Sequence, residues 1–379
     1  MTAREPLPPP SPLTLPNTAF PKAPPPFVIK AAMKLRSLLQ RAADLVVPAE
    51  IAAFDRTWGA AITVMVGAVA RYRIVDALGD ESLTAAEIAA KTKTNPDAVH
   101  RTLRALATQG MFAVDSAGRF TNTRLSRGLM GGRPSRVPEF ITYFTSSSNL
   151  AAWSDFNRSL EDGEAAFDRV HGKTVWDWFD EHPDEREMFA HGMMGITVGD
   201  APFVADLYPF QEITKLCDVG GGRGTLISEL LLRFPHLKGV LCDAPGVIES
   251  AKKLLTERGV IERCELVPGS FFDFVPGGCD AYSIKNVLHD WDDARCVKIL
   301  STVRKAMTPG TRLLLMEILT EPNDGTGFGP LLDMHMLVAC SGGRERGVEQ
   351  LRQLLEKSGF KLERVFPGPT CSILDARAS

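Results

Sequence analysis

Neither sign of charge dominates the chain. Its 43 Lys and Arg stand against 46 Asp and Glu, a formal net charge of −3 at pH 7. No global basic field draws it to nucleic acid or to anionic lipid. No apolar run approaches the roughly 20 residues that a membrane-spanning helix needs. The N-terminus shows no basic segment followed by a hydrophobic one, so a secretory leader is not expected. Cysteine is absent before Cys217, and the seven that follow form no C-x-x-C pair. Free, buried thiols in a reducing cytoplasm are expected, rather than disulfides or a zinc site. A G-x-S-x-G elbow and a P-loop lysine are also missing. His289, Asp333 and His335 come from distant loops without metal-ligand spacing, and no metal is expected.

What is present begins with LCDVGGGRGTL at 216–226, followed by GVLCD ending at Asp243. A strand over 215–219 runs into Gly220, Gly221, Gly222 and Gly224, and Leu226, Ile227, Leu230 and Leu231 then repeat with helical period. Glycines suit a backbone that turns sharply and approaches a ligand at a helix N-terminus. A carboxylate at the tip of the next strand suits the two hydroxyls of a ribose. Dinucleotide enzymes use the same device, but Thr225 stands where G-x-G-x-x-G requires its last glycine. The spacing therefore favours an adenosine cofactor other than a nicotinamide dinucleotide.

With 379 residues the chain has room for several domains. Residues 1–27 are rich in proline, including Pro8–Pro10 and Pro24–Pro26, and are expected to be a poorly ordered extension. Ala32–Val47 is a basic amphipathic stretch suited to packing on a partner subunit or its own domain. Within 28–135 the pattern is that of a winged helix. Thr84-x-x-Glu87 is a capping box for a helix at Ala85–Lys91, and Asn95-Pro96 opens a second helix that Gly110 ends. Two short strands, Met111–Val114 and Arg119–Thr123, then flank the turn at 115–118. Its candidate recognition helix offers only His100, Arg101 and Arg104, so a packing or dimerisation module is expected before a DNA reader. Residues 136–210 read as a helical, substrate-lining region. Its aromatic anchors include Trp153, Trp176 and Trp178, and Met193 and Met194 join them.

From 211 to 379 strands and helices alternate. Strands are expected at 215–219, 237–242, 263–267, 280–285 and 311–318, with helices at 225–233, 246–258, 292–306 and 349–358. Lys361–Phe366 and Cys371–Ala376 are joined by only four residues. A parallel crossover needs a dozen or more, so these two strands pair antiparallel or lie apart. The expected fold is α/β: a Rossmann-like seven-strand sheet with an antiparallel C-terminal hairpin, as in S-adenosylmethionine methyltransferases, plus the helical winged-helix domain.

His289, in IKNVLHDWDD at 284–293, leaves the fourth strand at the edge where open α/β sheets bind ligands. Its imidazole titrates near working pH, which suits proton transfer. Asp290, Asp292 and Asp293 already serve to cap the next helix, leaving His289 free for another role. Glu317 lies in LLLMEIL, where a carboxylate is costly without a partner. Glu345, in SGGRERG at 341–347, reads on its own as an ordinary exposed charge.

Together, DVGGGRG, LHDWDD, the Glu of LLLMEIL, GGRER after an Asp-x-x-Met-Leu segment, and HGKTVWDWFDEHPDEREMF at 171–189 resemble the caffeic acid/acetylserotonin-type O-methyltransferases and their bacterial natural-product relatives. The resemblance covers about residues 50–379. It implies S-adenosylmethionine as cofactor, an aromatic or polycyclic hydroxyl as small-molecule acceptor, and a homodimer. It further implies His289 as general base flanked by Glu317 and Glu345. Asp218, Gly220 and Gly222 match the cofactor loop, Asp243 the ribose acid, and Lys285 a cofactor contact beside the adenine. Ser270 stands where relatives carry an acidic residue toward the adenine amino group, while Phe271 can still pack on the ring. Gly347 replaces the usual Thr or Ser after GGRER. Two alternatives are a cofactor-binding relative that hydroxylates or rearranges its substrate, and a winged-helix regulator that senses the cofactor.

Overall fold

The computed structural model describes residues 6–12, 14–323 and 327–379. Two compact units are built mainly from Leu39–Leu150 with Phe179–Ile196, and from Ala151–Trp178 with Thr197–Ser379.

In the first unit the local signals form as expected. Thr84 and Glu87 make a reciprocal capping box on the helix Ala85–Thr92, and Asn95 caps Pro96–Ala107 through the Ala98 amide. That second helix buries Val99, Leu103 and Leu106 on one face. Strands β1 (Leu83–Thr84), β2 (Phe112–Val114) and β3 (Arg119–Asn122) form an antiparallel wing in the order β1-β3-β2. Phe120 at its centre is fully buried.

The second unit is a seven-strand sheet of β4 (Lys215–Val219), β5 (Lys238–Asp243), β6 (Cys264–Pro268), β7 (Ala281–Lys285), β8 (Arg312–Glu317), β9 (Phe360–Phe366) and β10 (Ser372–Ala378). Their order is β6-β5-β4-β7-β8-β10-β9. Five strands are joined by parallel pairing, and β10 lies antiparallel to both β8 and β9. Leu313–Met316 are all buried, as befits a strand covered on both faces. Successive residues along a strand alternate between two cores, one holding Cys217, Val219 and Leu315, the other Leu216, Leu314 and Met316. Between β4 and β7 the strand order reverses. That switch point, at the carboxyl ends of the strands, is where such sheets open a ligand crevice.

Two features depart from expectation. The helix Gly329–Ala339 was not foreseen, because LLDMHMLVA is apolar on every side and shows no period. The proline-rich segment is also not an unattached extension. Its described residues form no helix or strand before Pro26, yet Leu7, Ser11, Leu15 and Phe20 are buried, and the amides of Leu7, Ser11 and Phe20 are hydrogen-bonded to side chains far along the chain. Composition shows that such a segment cannot build a core, but it does not show whether another part of the chain receives it.

The helices Pro26–Asp44 and Ala49–Thr57 bury none of their residues and leave Phe27, Leu35, Leu39 and Phe54 in solvent. All seven cysteines are free and buried. Among the described residues no helix is long and apolar enough to cross a membrane.

Candidate active site

At the end of β4 the backbone passes through Gly220 and Gly222, both at positive φ (68° and 58°), a conformation side chains disfavour. A Cβ on Gly220 would stand 2.9 Å from Val287 Cγ2, with the Phe271 ring 3.5 Å away. A Cβ on Gly222 would meet nothing, so this stretch of backbone is open to a ligand. Asp243 is oriented toward it: its carboxylate accepts from the Gly222 amide at 2.8 Å and from the Ala244 amide at 2.7 Å. Each oxygen keeps a further lone pair for a ribose hydroxyl. Beneath the loop, Asp218 accepts from the Ser283 hydroxyl at 2.8 Å, while its Oδ2 is buried without a protein partner. Burial raises the Asp218 carboxyl to about 7. An open glycine turn, a carboxylate positioned for a diol and an orphaned buried acceptor fit an adenosyl cofactor with a cationic tail.

The other expected cofactor residues are differently engaged. Ser270 is exposed, and its hydroxyl accepts from the Phe272 amide at 3.2 Å. Phe271 packs beside Gly220 and against Phe272. Lys285 ends β7 with its ammonium buried, 3.0 Å from Asp200. Burial disfavours that charge, but Asp200 outweighs it and the pKa is raised. Thr370 in turn donates to Asp200 at 2.5 Å. Asp200 was missed from sequence, where nothing near GDAPF marks it.

The register Lys285↔Met316 places the end of β7 beside Glu317 at the end of β8. After Asn286, at φ 51°, the chain makes a single 3-10 turn, Leu288–Asp290. Glu317 Oε1 accepts from the amides of Leu288 (3.0 Å) and Val287 (3.3 Å), pinning that turn. Its second oxygen stands 3.9 Å from His289 Nδ1. The direct partner of the imidazole is Glu345, whose Oε1 lies 2.7 Å from Nδ1. Far from being an exposed charge, Glu345 is buried, and its amide donates to Asp333 at 2.8 Å. Arg344 donates its amide to the His289 carbonyl at 2.8 Å. Arg346 donates to the carbonyls of Leu288 and Trp291. The GGRER loop and the histidine turn are thus laced together.

A hydrogen bond to Glu345 through Nδ1 leaves Nε2 as the ring's second functional atom, with Asp290 Oδ1 at 3.6 Å. Burial works against the charged imidazole, but Asp290, Glu345 and Glu317 outweigh it and raise the pKa to about 10. Burial raises Glu317 to about 7 and Asp290 to about 6, with His289 opposing both. His335, buried and disfavoured further by the charge of His289, is lowered to about 4. Ligand atoms of His289, Glu317 and Glu345 lie within 4.8 Å of one another, a convergence that linear spacing could not show.

Comparison with known proteins places this geometry. The O-methyltransferase domain matches residues 153–361, and the O-methyltransferase dimerisation domain matches residues 58–132. The chain belongs to the O-methyltransferase family. It is 39% identical over 289 residues to the mitomycin biosynthesis 6-O-methyltransferase of Streptomyces lavendulae, covering 75% of this chain and 81% of that one. To the phenazine O-methyltransferase of Lysobacter antibioticus it is 36% identical over 310 residues, covering 81% and 90%. The solved mitomycin 7-O-methyltransferase superposes with a TM-score of 0.83 at 35% identity, covering 90% of this chain and all of that one. The neocarzinostatin-pathway O-methyltransferase, 28% identical with a TM-score of 0.75 over 84% of this chain and 96% of that one, was solved with S-adenosylmethionine and 2-hydroxy-5-methyl naphthoic acid. The enzyme is an S-adenosylmethionine-dependent methyltransferase. The two helices and the wing, within residues 83–122, lie inside the span that the dimerisation domain matches.

Proposed function

We propose that the enzyme methylates a hydroxyl of a small aromatic or polycyclic natural product, with His289 as general base. The observation that carries this reading is the 2.7 Å pair of His289 and Glu345, set at the carboxyl edge of β7 beside the glycine loop. Bound S-adenosylmethionine supplies a methyl group made electrophilic by its sulfonium, so the protein's main tasks are alignment and proton removal. The Gly220–Gly222 backbone with Asp218 and Asp243 holds the cofactor, with Phe271 packing beside the adenine. Ser270 keeps a hydroxyl proton for a weaker polar contact. Lys285 acts together with Asp200.

His289 Nε2 takes the acceptor's proton as its oxygen attacks, acting in its neutral form, which a bound cationic cofactor favours by opposing a second positive charge nearby. Glu345 fixes the Nδ1–H tautomer and stabilises the imidazolium that forms, as the buried carboxylate of a catalytic triad does. Glu317 holds the turn that carries the ring. Proton removal matters most for weakly acidic hydroxyls, which favours phenols and their polycyclic analogues as acceptors. A homodimer fits the dimerisation domain and the apolar residues left in solvent on Pro26–Asp44 and Ala49–Thr57. Seven buried free thiols fit a reducing cytoplasm.

Mass spectrometry tests the reading on a panel of phenols and hydroxylated polycycles incubated with enzyme and S-adenosylmethionine. The expected result is the gain of one methyl group on at least one acceptor. A panel that includes arylamines distinguishes oxygen from nitrogen, because one relative, 32% identical over 318 residues, is a riboflavin-analogue N,N-dimethyltransferase of Streptomyces davaonensis. Methylation of amines alone would overturn the assignment of a hydroxyl acceptor.

A further inference from the structure

The proline-rich segment is received by two constructions of the same kind. In the first unit Arg136 and Glu139 form a fully buried ion pair at 2.8 Å. Glu139 accepts the amide of Ser11 at 3.0 Å, and Arg136 donates to the Ser11 carbonyl at 2.5 Å. In the second unit Arg258 and Glu229 form another pair at 2.9 Å, both side chains 0% exposed. Glu229 accepts the amide of Phe20 through both oxygens, at 2.9 and 3.1 Å, and Arg258 donates to the carbonyls of Pro16 and Thr18. The guanidinium of Arg258 also stacks 4.6 Å over the Phe20 ring, and Arg233 donates to the Phe20 carbonyl.

We propose that these two arginine–glutamate pairs are main-chain clamps, and that their ligand is the chain's own proline-rich segment, held at Ser11 by one and at Pro16, Thr18 and Phe20 by the other. In each, a carboxylate takes an amide and a guanidinium takes carbonyls. This recognises extended backbone without regard to most side chains, as edge-strand recognition does. Proline suits such a ligand. It is already extended, so less conformational entropy is lost on docking, and it adds no amide that would need a partner. The amides of Leu7, Ser11 and Phe20 each meet a carboxylate, those of Asp184, Glu139 and Glu229. A buried ion pair needs further hydrogen bonds to offset its desolvation, and the segment contributes them to both pairs, fully at Arg258–Glu229 and in part at Arg136–Glu139, where Arg136 Nε and Glu139 Oε2 stay unpaired. Both clamps lie outside the histidine site. Glu229, however, sits on the helix Thr225–Arg233, whose N-cap is Gly224 of the cofactor loop. The segment is therefore a structural strap on the element that presents that loop.

Hydrogen exchange on the full-length enzyme tests this directly, read on short peptic fragments containing Ser11 or Phe20. The expected result is exchange at least about 100-fold slower than in the free peptide, as for other core-bonded amides. Glu139→Gln is expected to speed exchange at Ser11 alone, and Glu229→Gln at Phe20 alone. Deleting residues 1–20 should lower Tm by about 5 °C or more and weaken S-adenosylhomocysteine binding, with a synthetic peptide of residues 6–20 restoring part of both. Free-peptide exchange rates in the intact enzyme would overturn the proposal, as would a deletion that leaves Tm unchanged. If the deleted protein is insoluble, the exchange data on full-length enzyme and point variants decide alone.

Discussion

Glu345, not Glu317, holds the His289 ring: its Oε1 lies 2.7 Å from Nδ1, whereas the nearest Glu317 oxygen stands at 3.9 Å and that side chain is spent on the amides of Leu288 and Val287. The two glutamates therefore do different work. Glu345→Gln should lower turnover by roughly 100-fold, because the charge that stabilises the imidazolium is gone while the ring stays in place. Glu317→Gln keeps an acceptor for the turn's amides and should lose less. Steady-state rates of both variants on one phenol check the order; a larger loss in Glu317→Gln would reverse the assignment.

The same pair sets a pH dependence. His289 is raised from 6.5 to about 10, so the folded enzyme holds that proton where the unfolded chain has released it. Its contribution to stability is complete below pH 6.5 and is lost as pH rises toward 10. The Tm difference between wild type and His289→Gln should accordingly shrink across that window. Imidazole NMR of the cofactor-free enzyme should show a titration near the top of it, moved down in Glu345→Gln. A titration near 6.5 in wild type would remove the proposed influence of the carboxylates.

Asp243 is held by two amides and has lone pairs left for a diol. Asp243→Ala should weaken S-adenosylhomocysteine binding by about 1–3 kcal/mol, the scale of charge-assisted hydrogen bonds. Isothermal calorimetry reads this directly. Unchanged affinity would mean that the ribose lies elsewhere.

Phe54 and Trp58 meet edge to face at 6.3 Å and remain largely in solvent. If they belong to the dimer contact, light scattering of the wild type should give twice the 41.3 kDa chain mass. Phe54→Asp with Trp58→Asp should return it to one chain. A wild-type monomer at micromolar concentration would contradict the dimer.

Much of this architecture was legible from local chemistry. Thr84 with Glu87, Asn95 with Pro96, and the four-residue link after Phe366 each admit few backbone solutions, and each formed as expected. Partners brought in from far along the chain were not legible. Glu345 lies between two arginines in a glycine-rich loop, and only the fold turns it inward. Lys285 could be placed at a strand end, but its ion pair with Asp200 depends on a helix 85 residues earlier. The strap escaped for the same reason. Proline content describes the ligand, whereas the clamps that hold it are single residues at 136, 139, 229 and 258 with no local signature.

The central claim, that His289 removes the acceptor's proton, is tested most directly by single-turnover transfer in His289→Gln. The cofactor is bound beforehand, and its affinity is measured on the same protein. Transfer to an ordinary phenol should slow by roughly 10²–10⁴-fold with cofactor affinity almost unchanged. The loss should be much smaller on a phenol already ionised at the assay pH, since alignment survives. Normal transfer to every acceptor would leave alignment as the whole mechanism, and failure to bind cofactor would reassign His289 to structure.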